Sequence, residues 1–286
     1  MSETWRRFGS YDVLILDDGI FEAPLDVLIH ADGEAARDEA LARWGKPKVS
    51  IPVNCFALRG ADGITLVDAG TGPSWGAAMG HAPAAMAKAG IVPEQVERVL
   101  ITHLHGDHAL GLFDGERARF PNAEIIVPEA DFGFFGNETN RARTPPNRQG
   151  GFAVTAAVKT HYGDRIRPVA AGSVRPGIAL IPLPGHTAGH GGYLIEGEQS
   201  LLLWGDALHL ADLQASEPHI GLVYDFDAAT ALTSRRAILA RAAREDWIVS
   251  GGHIEGFRRV IENGPGYELT PRSEERRVGK ECRSRW

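Results

Sequence analysis

Apolar residues fall along the chain in short runs cut off by glycine, proline or aspartate, a spacing that predicts many short strands interleaved with helices. The first strand is expected over 13–16, closed by a polar turn at Asp17-Asp18-Gly19, and a helix is expected over 34–43. Runs at 51–58 and 64–68 flank Gly60-Ala61-Asp62-Gly63 and read as a hairpin. Alanine-rich 75–89 reads as helix interrupted at Pro83. Residues 96–102 are β-branched and aliphatic, a buried strand, and 123–127 is a shorter one. A helix or lid follows at 129–135, then the best loop candidate of the chain at 136–152, a substrate lid or a mobile insertion, then helical 153–162. Strands 178–183 and 193–195 pair. Ala231, Leu232, Arg235, Ile238, Leu239 and Ala242 recur at helical spacing, with Asp225 or Asp227 as N-cap. This helix feeds a strand at Trp247. Leu66-Val67-Asp68-Ala69-Gly70 is echoed by Leu203-Trp204-Gly205-Asp206-Ala207, as two related halves would require. Asp68 is expected to orient a neighbouring side chain or loop amide.

The run that changes the picture is 101–112, which follows the buried strand directly. Four side chains able to hold a metal fall between positions 103 and 108: His103, His105, Asp107 and His108. One or two histidines on a loop are more often a surface feature without chemistry. Four donors in this space, at the end of a rigid strand, outweigh that reading. Imidazole and carboxylate without thiolate suit zinc, manganese, iron or cobalt. His103 and His105 can point one way while Asp107 and His108 diverge toward a second point, so one loop can serve two ions.

The His-x-His-x-Asp-His run resembles that of the metallo-β-lactamase superfamily. Three further stretches arrive in that family's order, each after an apolar run and beside glycine: Pro184-Gly185-His186, Trp204-Gly205-Asp206 and Gly251-Gly252-His253. The resemblance covers roughly 50 to 260. It implies an α/β fold, the four-layer αββα sandwich, with His103, His105 and His186 at a first metal, Asp107, His108 and His253 at a second, and Asp206 bridging. It implies two divalent ions, zinc first, with manganese, iron or cobalt as alternatives. It also implies a metal-bridging hydroxide that cleaves a lactone, carboxylic ester or phosphotriester, with Asp107 and Asp206 catalytic as well as ligating. His105 stands where oxygen-reducing diiron members carry glutamate, and Asp206 where some β-lactamase classes carry cysteine or serine; both favour hydrolysis in the lactonase and phosphotriesterase branches. The stretch 203–209, with Gln214, Pro218, Asp225-Phe226-Asp227 and 266–271, looks closest to the methyl parathion hydrolase-like branch. His209 lies where lactonases of the family place a tyrosine, and is expected to hydrogen-bond the substrate. His190 is expected beside the site, bonded to a ligand or to backbone. The alternatives are a β-lactam or thioester hydrolase of the same fold, an iron-dependent oxidoreductase, and a metal-binding protein without activity.

Composition narrows this further. The 286 residues carry 43% hydrophobic side chains, enough for a sizeable core, and a single domain over 1–271 is expected, with 1–48 as an N-terminal extension over the site entrance. Residues 272–286 switch to a basic string that resembles a sequencing adapter read in frame, and are expected to be an artefactual, disordered tail. The formal charge is −7, and −10 without that tail's +3, which argues against nucleic acid as partner. No early apolar run suggests a signal peptide and none suggests a membrane span. Two cysteines imply no disulfide framework, Cys55 being a core residue, and a cytoplasmic setting fits. A small-molecule substrate and a possible homodimer complete the expected partners. Phe113, Phe120, Phe132, Phe134 and Phe135 are candidates to line an apolar pocket or to pack in the core.

Overall fold

Alternation along the strands sets the layers. In the strand Leu201–Leu203, the first and third leucines face one apolar cluster and Leu202 faces another, because successive side chains leave a strand on opposite sides. The computed structural model describes residues 4–272, so the expected tail lies outside the described residues from 273 onward. Most of its strands form two seven-stranded sheets, each laid out in chain order, and two further pairs form two-stranded sheets. The first runs from Arg6–Phe8 through Tyr11–Ala23, Val49–Gly60, Gly63–Val67, Val96–Leu100 and Glu124–Pro128 to Ile166–Val169. The second runs from Gly172–Arg175 through Ile178–Pro182, Gly191–Ile195, Leu201–Leu203, Ile248–Ser250 and Arg258–Asn263 to Gly266–Pro271.

Between the sheets lie Val13, Phe56, Leu58, Val67, Leu100 and Ile126 from the first and Leu180, Tyr193, Leu201, Leu203 and Ile248 from the second. The outer face of the first sheet packs Leu66, Val99 and Ile125 against helix Gly150–Tyr162. The outer face of the second packs Leu202 and Val249 against Ile238, Leu239 and Ala242 of helix Ala228–Arg244. Helix, sheet, sheet, helix is the expected four-layer sandwich.

Most neighbouring strands are antiparallel, but Gly63–Val67 runs parallel to Val96–Leu100, and Leu201–Leu203 parallel to Ile248–Ser250. Parallel neighbours end on the same edge, so the loops carrying Asp68 and His103 emerge side by side, as do those carrying Asp206 and His253.

Three local expectations are corrected. No turn interrupts the chain at Asp17-Asp18-Gly19: one strand spans Tyr11–Ala23, and a β-bulge skips Asp18 between the pairs Asp17–Asn54 and Gly19–Val53. The bulge turns Asp18 into the protein, where its carboxylate accepts from Thr71 N (2.7 Å), Thr71 Oγ1 (2.7 Å) and Ala82 N (2.8 Å). The helix expected over 75–89 is confined to Ala82–Lys88, and Pro83 sits in its first turn rather than breaking it, since a residue without an N–H costs nothing there. The 136–152 stretch is mostly helical: Asn137 Oδ1 accepts from Thr139 N and Asn140 N and caps Glu138–Arg143, and a 3-10 turn spans Pro146–Arg148. The first 48 residues contribute two strands to the first sheet, and their helix spans Glu34–Trp44.

Asp18→Ala strands buried donors, so a stability loss of roughly 3 kcal/mol is expected in urea unfolding, with Asp18→Asn recovering part of it. A loss under about 0.5 kcal/mol would mean the bulge does not anchor the 71–82 segment.

Candidate metal centre

Strand Gly63–Val67 hands over to Asp68, whose backbone sits in the left-handed region at φ 58°. Such a conformation is costly for a residue with a Cβ and persists only when its surroundings hold it. Here Asp68 N donates to Leu100 O, while its carboxylate accepts from Thr102 N (2.8 Å) and Thr102 Oγ1 (2.8 Å) and lies 2.8 Å from His108 Nδ1. One buried carboxylate thus fixes both ends of the 102–108 loop.

Around that loop the histidines follow a common pattern, in which one ring nitrogen bonds outward and the other points to a shared centre. His108 Nδ1 meets Asp68, His186 Nδ1 meets Asp225 Oδ1 at 2.9 Å, His253 Nδ1 donates to Pro52 O at 2.8 Å, and His103 Nδ1 lies 3.1 Å from Thr102 Oγ1. Their Nε2 atoms converge on Asp206: His108 on Oδ1 at 3.0 Å, and His186, His253 and His103 on Oδ2 at 3.1, 3.2 and 3.7 Å. His105 turns Nδ1 inward, 3.0 Å from His186 Nε2. Asp107 Oδ2 lies 3.5 Å from His253 Nε2 and 3.6 Å from His108 Nε2. The donors form two groups, His103 with His105 and His186, and Asp107 with His108, Asp206 and His253, each with its donor atoms within 4.8 Å of one another. All seven residues singled out from the sequence are brought together, and His209 joins them with Nε2 3.2 Å from Asp206 Oδ2.

Several supports were not legible in the sequence. Asp131, fully buried, accepts from Leu104 N (2.8 Å) and Gly189 N (3.0 Å), tying the His103–His105 loop to the His186–His190 loop. An aspartate within the otherwise apolar run Ala130–Phe135 was its only signal. His190 behaves as expected, its Nε2 accepting from Asp206 N at 2.8 Å and its Nδ1 donating to Leu183 O. Asp225 is not the helix cap; Asp227 is, accepting from Ala229 N and Thr230 N. Asp225 instead grips His186 and lies 3.5 Å from the buried Arg235, which donates to Ala207 O, Pro218 O and Ile220 O.

The electrostatics split the histidines. Burial drives the pKa of His103 and His105 well down, that of His190 to about 3 and that of His209 to about 4. Burial opposes charge on His108, His186 and His253 as well, but the facing Asp206 outweighs it and all three are raised, His186 to about 9. Asp206, despite burial, is held well below the usual carboxylate range by the surrounding imidazoles, His108 foremost.

A cavity of about 570 Å³ opens onto His105, Asp107, His186, Asp206, His209 and His253. Its apolar walls are Phe21, Trp75, Val223, Tyr224 and Phe226, with Asn147 and Arg148 at one side. None of the phenylalanines 113, 120, 132, 134 and 135 lines it. Phe113, Phe120 and Phe135 are buried, and Phe134 and Phe135 pack behind Phe226, with ring centroids 5.7 Å away in each case. The 136–152 segment does border the cavity, through Asn147, Arg148, Gly150 and Gly151.

Fold and site together define, by class, a metal-dependent hydrolase. The chain belongs to the metallo-beta-lactamase superfamily, which it matches over residues 50–253. It is 31% identical over 185 residues to an N-acyl homoserine lactonase from a Bacillus species, the match spanning 63% of this chain and 64% of that one. Among solved structures it resembles the hydrolase AbOPH (TM-score 0.85, 23% identity, 95% of this chain and 98% of that one). It also resembles AidC, a dizinc quorum-quenching lactonase (TM-score 0.83, 22% identity, 94% and 97%). At these identities the two structures establish the fold.

Removing a partner that orients a metal-binding imidazole typically weakens binding about 10–100-fold, and Asp68→Ala is expected to do so for zinc, as read by equilibrium dialysis against a competing chelator. Unchanged affinity in a folded variant would detach Asp68 from the centre.

Proposed function

We propose that this protein is a dinuclear hydrolase that opens lactones and cleaves related carboxylic esters with an apolar substituent. The observation that carries the reading is a set of buried polar atoms without a hydrogen bond of good geometry, His103 Nε2, His108 Nε2 and Asp206 Oδ1, gathered where the two donor groups meet at Asp206. Stranding buried nitrogens is costly, and divalent ions would take up their lone pairs, so the donor set fits such ions. His103, His105 and His186 would hold one ion and Asp107, His108 and His253 the other, with Asp206 between them. When bound, the pair supplies Lewis-acid activation of water and of the scissile carbonyl.

The chain's own residues supply the rest. Asp107 borders the cavity, and its carboxylate is the group set to take the proton released when water attacks. Asp206, held ionised by its neighbours, keeps the inward nitrogens in register. Phe21, Trp75, Tyr224 and Phe226 form an apolar wall suited to an acyl or aryl group. His209 stacks on His253 at 4.8 Å between ring centroids, and its Nδ1 has no partner. Burial holds it neutral with a single N–H, and Nε2, on the Asp206 side that borders the cavity, is the nitrogen that would donate to the substrate oxygen or leaving group without adding charge. A lactone is placed ahead of other esters because a curated relative carries that activity in its name.

The test is a panel of acyl lactones, aryl esters, a phosphotriester and a chromogenic cephalosporin, run before and after chelation and metal restoration. Lactone and aryl ester turnover that is lost with the metal and returns with it is expected. Zinc-loaded protein inert toward every lactone and ester would overturn the reading. His209→Ala is expected to lower kcat on the order of 100-fold with no loss of bound metal; an unchanged kcat would remove His209 from the reaction.

A further inference from the structure

Away from the cavity, strand Leu28–His30 pairs antiparallel with Ile220–Leu222, His30 lying opposite Ile220. His219 precedes that partner strand, so the pairing sets two imidazoles side by side, with ring centroids 5.8 Å apart and planes at 61°. Ala31 N donates to His219 O and holds the turn that presents Asp32 to both rings. Asp32 Oδ2 lies 2.7 Å from His219 Nδ1 and 3.7 Å from His30 Nδ1. One donor atom from each of the three residues falls within 4.8 Å of the others. His30 is fixed, its side chain only 5% exposed, with Glu217 Oε1 3.7 Å from the far edge of its ring. Asp32 is 62% exposed, so the cluster opens to solvent on the carboxylate side.

We propose that His30, Asp32 and His219 bind a divalent zinc ion, separate from the catalytic pair. Two imidazoles and a carboxylate without thiolate are borderline donors suited to zinc, with water completing the coordination. His30 Nδ1 accepts the Asp32 N–H at 3.0 Å, so that nitrogen carries a lone pair and no proton. Coordination would replace this hydrogen bond and the one that His219 Nδ1 donates to Asp32, the His219 proton leaving to solvent or moving to the other ring nitrogen, with bonds to a cation. The hydrogen bond from His219 holds the Asp32 carboxyl below its ordinary range, so it is ionised at neutral pH.

What such an ion would do follows from the chain. Strand Ile220–Leu222 runs straight into Val223, Tyr224 and Phe226, which wall the cavity, and Asp225, which grips His186. Cross-linking its first end to His30 clamps that wall from outside. The bound ion would be structural, and it takes no donor from the catalytic set.

The experiment is equilibrium dialysis of the 286-residue chain against buffered zinc in the micromolar range, with metal counted by elemental analysis, on the native chain, His219→Ala and Asp32→Asn. The native chain is expected to bind one more equivalent than either variant, while both variants retain their remaining zinc. Equal stoichiometry in all three proteins overturns the proposal, whether the common count is two or three. Asp32→Asn alters an exposed side chain, so its count stands if the imidazole substitution disturbs folding. The readout is a difference between variants and does not depend on which substrate the enzyme cleaves.

Discussion

A carboxylate buried among imidazoles is the constraint to which the rest of the structure answers. Asp206 is 2% exposed and meets ring nitrogens of His108, His186, His253, His209 and His103 between 3.0 and 3.7 Å. Burying an anion costs several kcal/mol unless positive charge is close, and several imidazoles that close cannot all be protonated without repelling one another. The displacements follow from this: His108, His186 and His253 are pushed to keep protons, while His103 and His105 are pushed to lose them. Protons meet the demand unevenly. A cation shared among lone pairs meets it at every nitrogen, and Lewis-acid chemistry needs the same arrangement.

Precision at that centre comes from outside it. The inward nitrogens of His108, His103, His186 and His253 are each aimed by a bond on the opposite side of the ring, to Asp68, Thr102, Asp225 and Pro52 O respectively, and these partners come from different strands and loops. Asp131 and His190 then tie loop to loop, Asp131 through the backbone of Leu104 and Gly189, His190 through the amide of Asp206. The two sheets make this possible because each contributes a parallel strand pair whose loops leave from one edge. The echo between Asp68 and Asp206 is the sequence trace of that arrangement: one sits at a strand end in the first sheet, the other just past a strand end in the second.

Legibility in the sequence follows the range of the interaction. The 103–108 run is local, and the later donors each announce themselves by a glycine after an apolar run, so the centre could be read residue by residue. The bulge at Asp18 could not, since a buried aspartate in a strand has the composition of a turn until its partners Thr71 and Ala82 are known. The capped helix at Glu138–Arg143 hid in a polar stretch for the same reason, its signal resting on Asn137 alone. Asp225 and Arg235 act on residues far off in the chain, and the pairing of His30 with His219 exists only through strand register. The phenylalanines near 132 pointed the right way by one layer: they back Phe226, which faces the cavity.

Chemistry and fit are largely built from separate segments, and where they join is informative. Phe21 and Trp75 reach the cavity from the first sheet's long strand and a 3-10 turn, and neither segment supplies a donor to the centre. Tyr224 and Phe226 differ, because Asp225 between them holds His186. A bulky change at Phe21 or Trp75 alters which substrate fits while the donors stay in place. A backbone shift at 224 or 226 moves the carboxylate that orients His186 and reaches the centre as well. The same segment continues back to His219, so whatever fixes the start of strand Ile220–Leu222 sets both the wall and one imidazole.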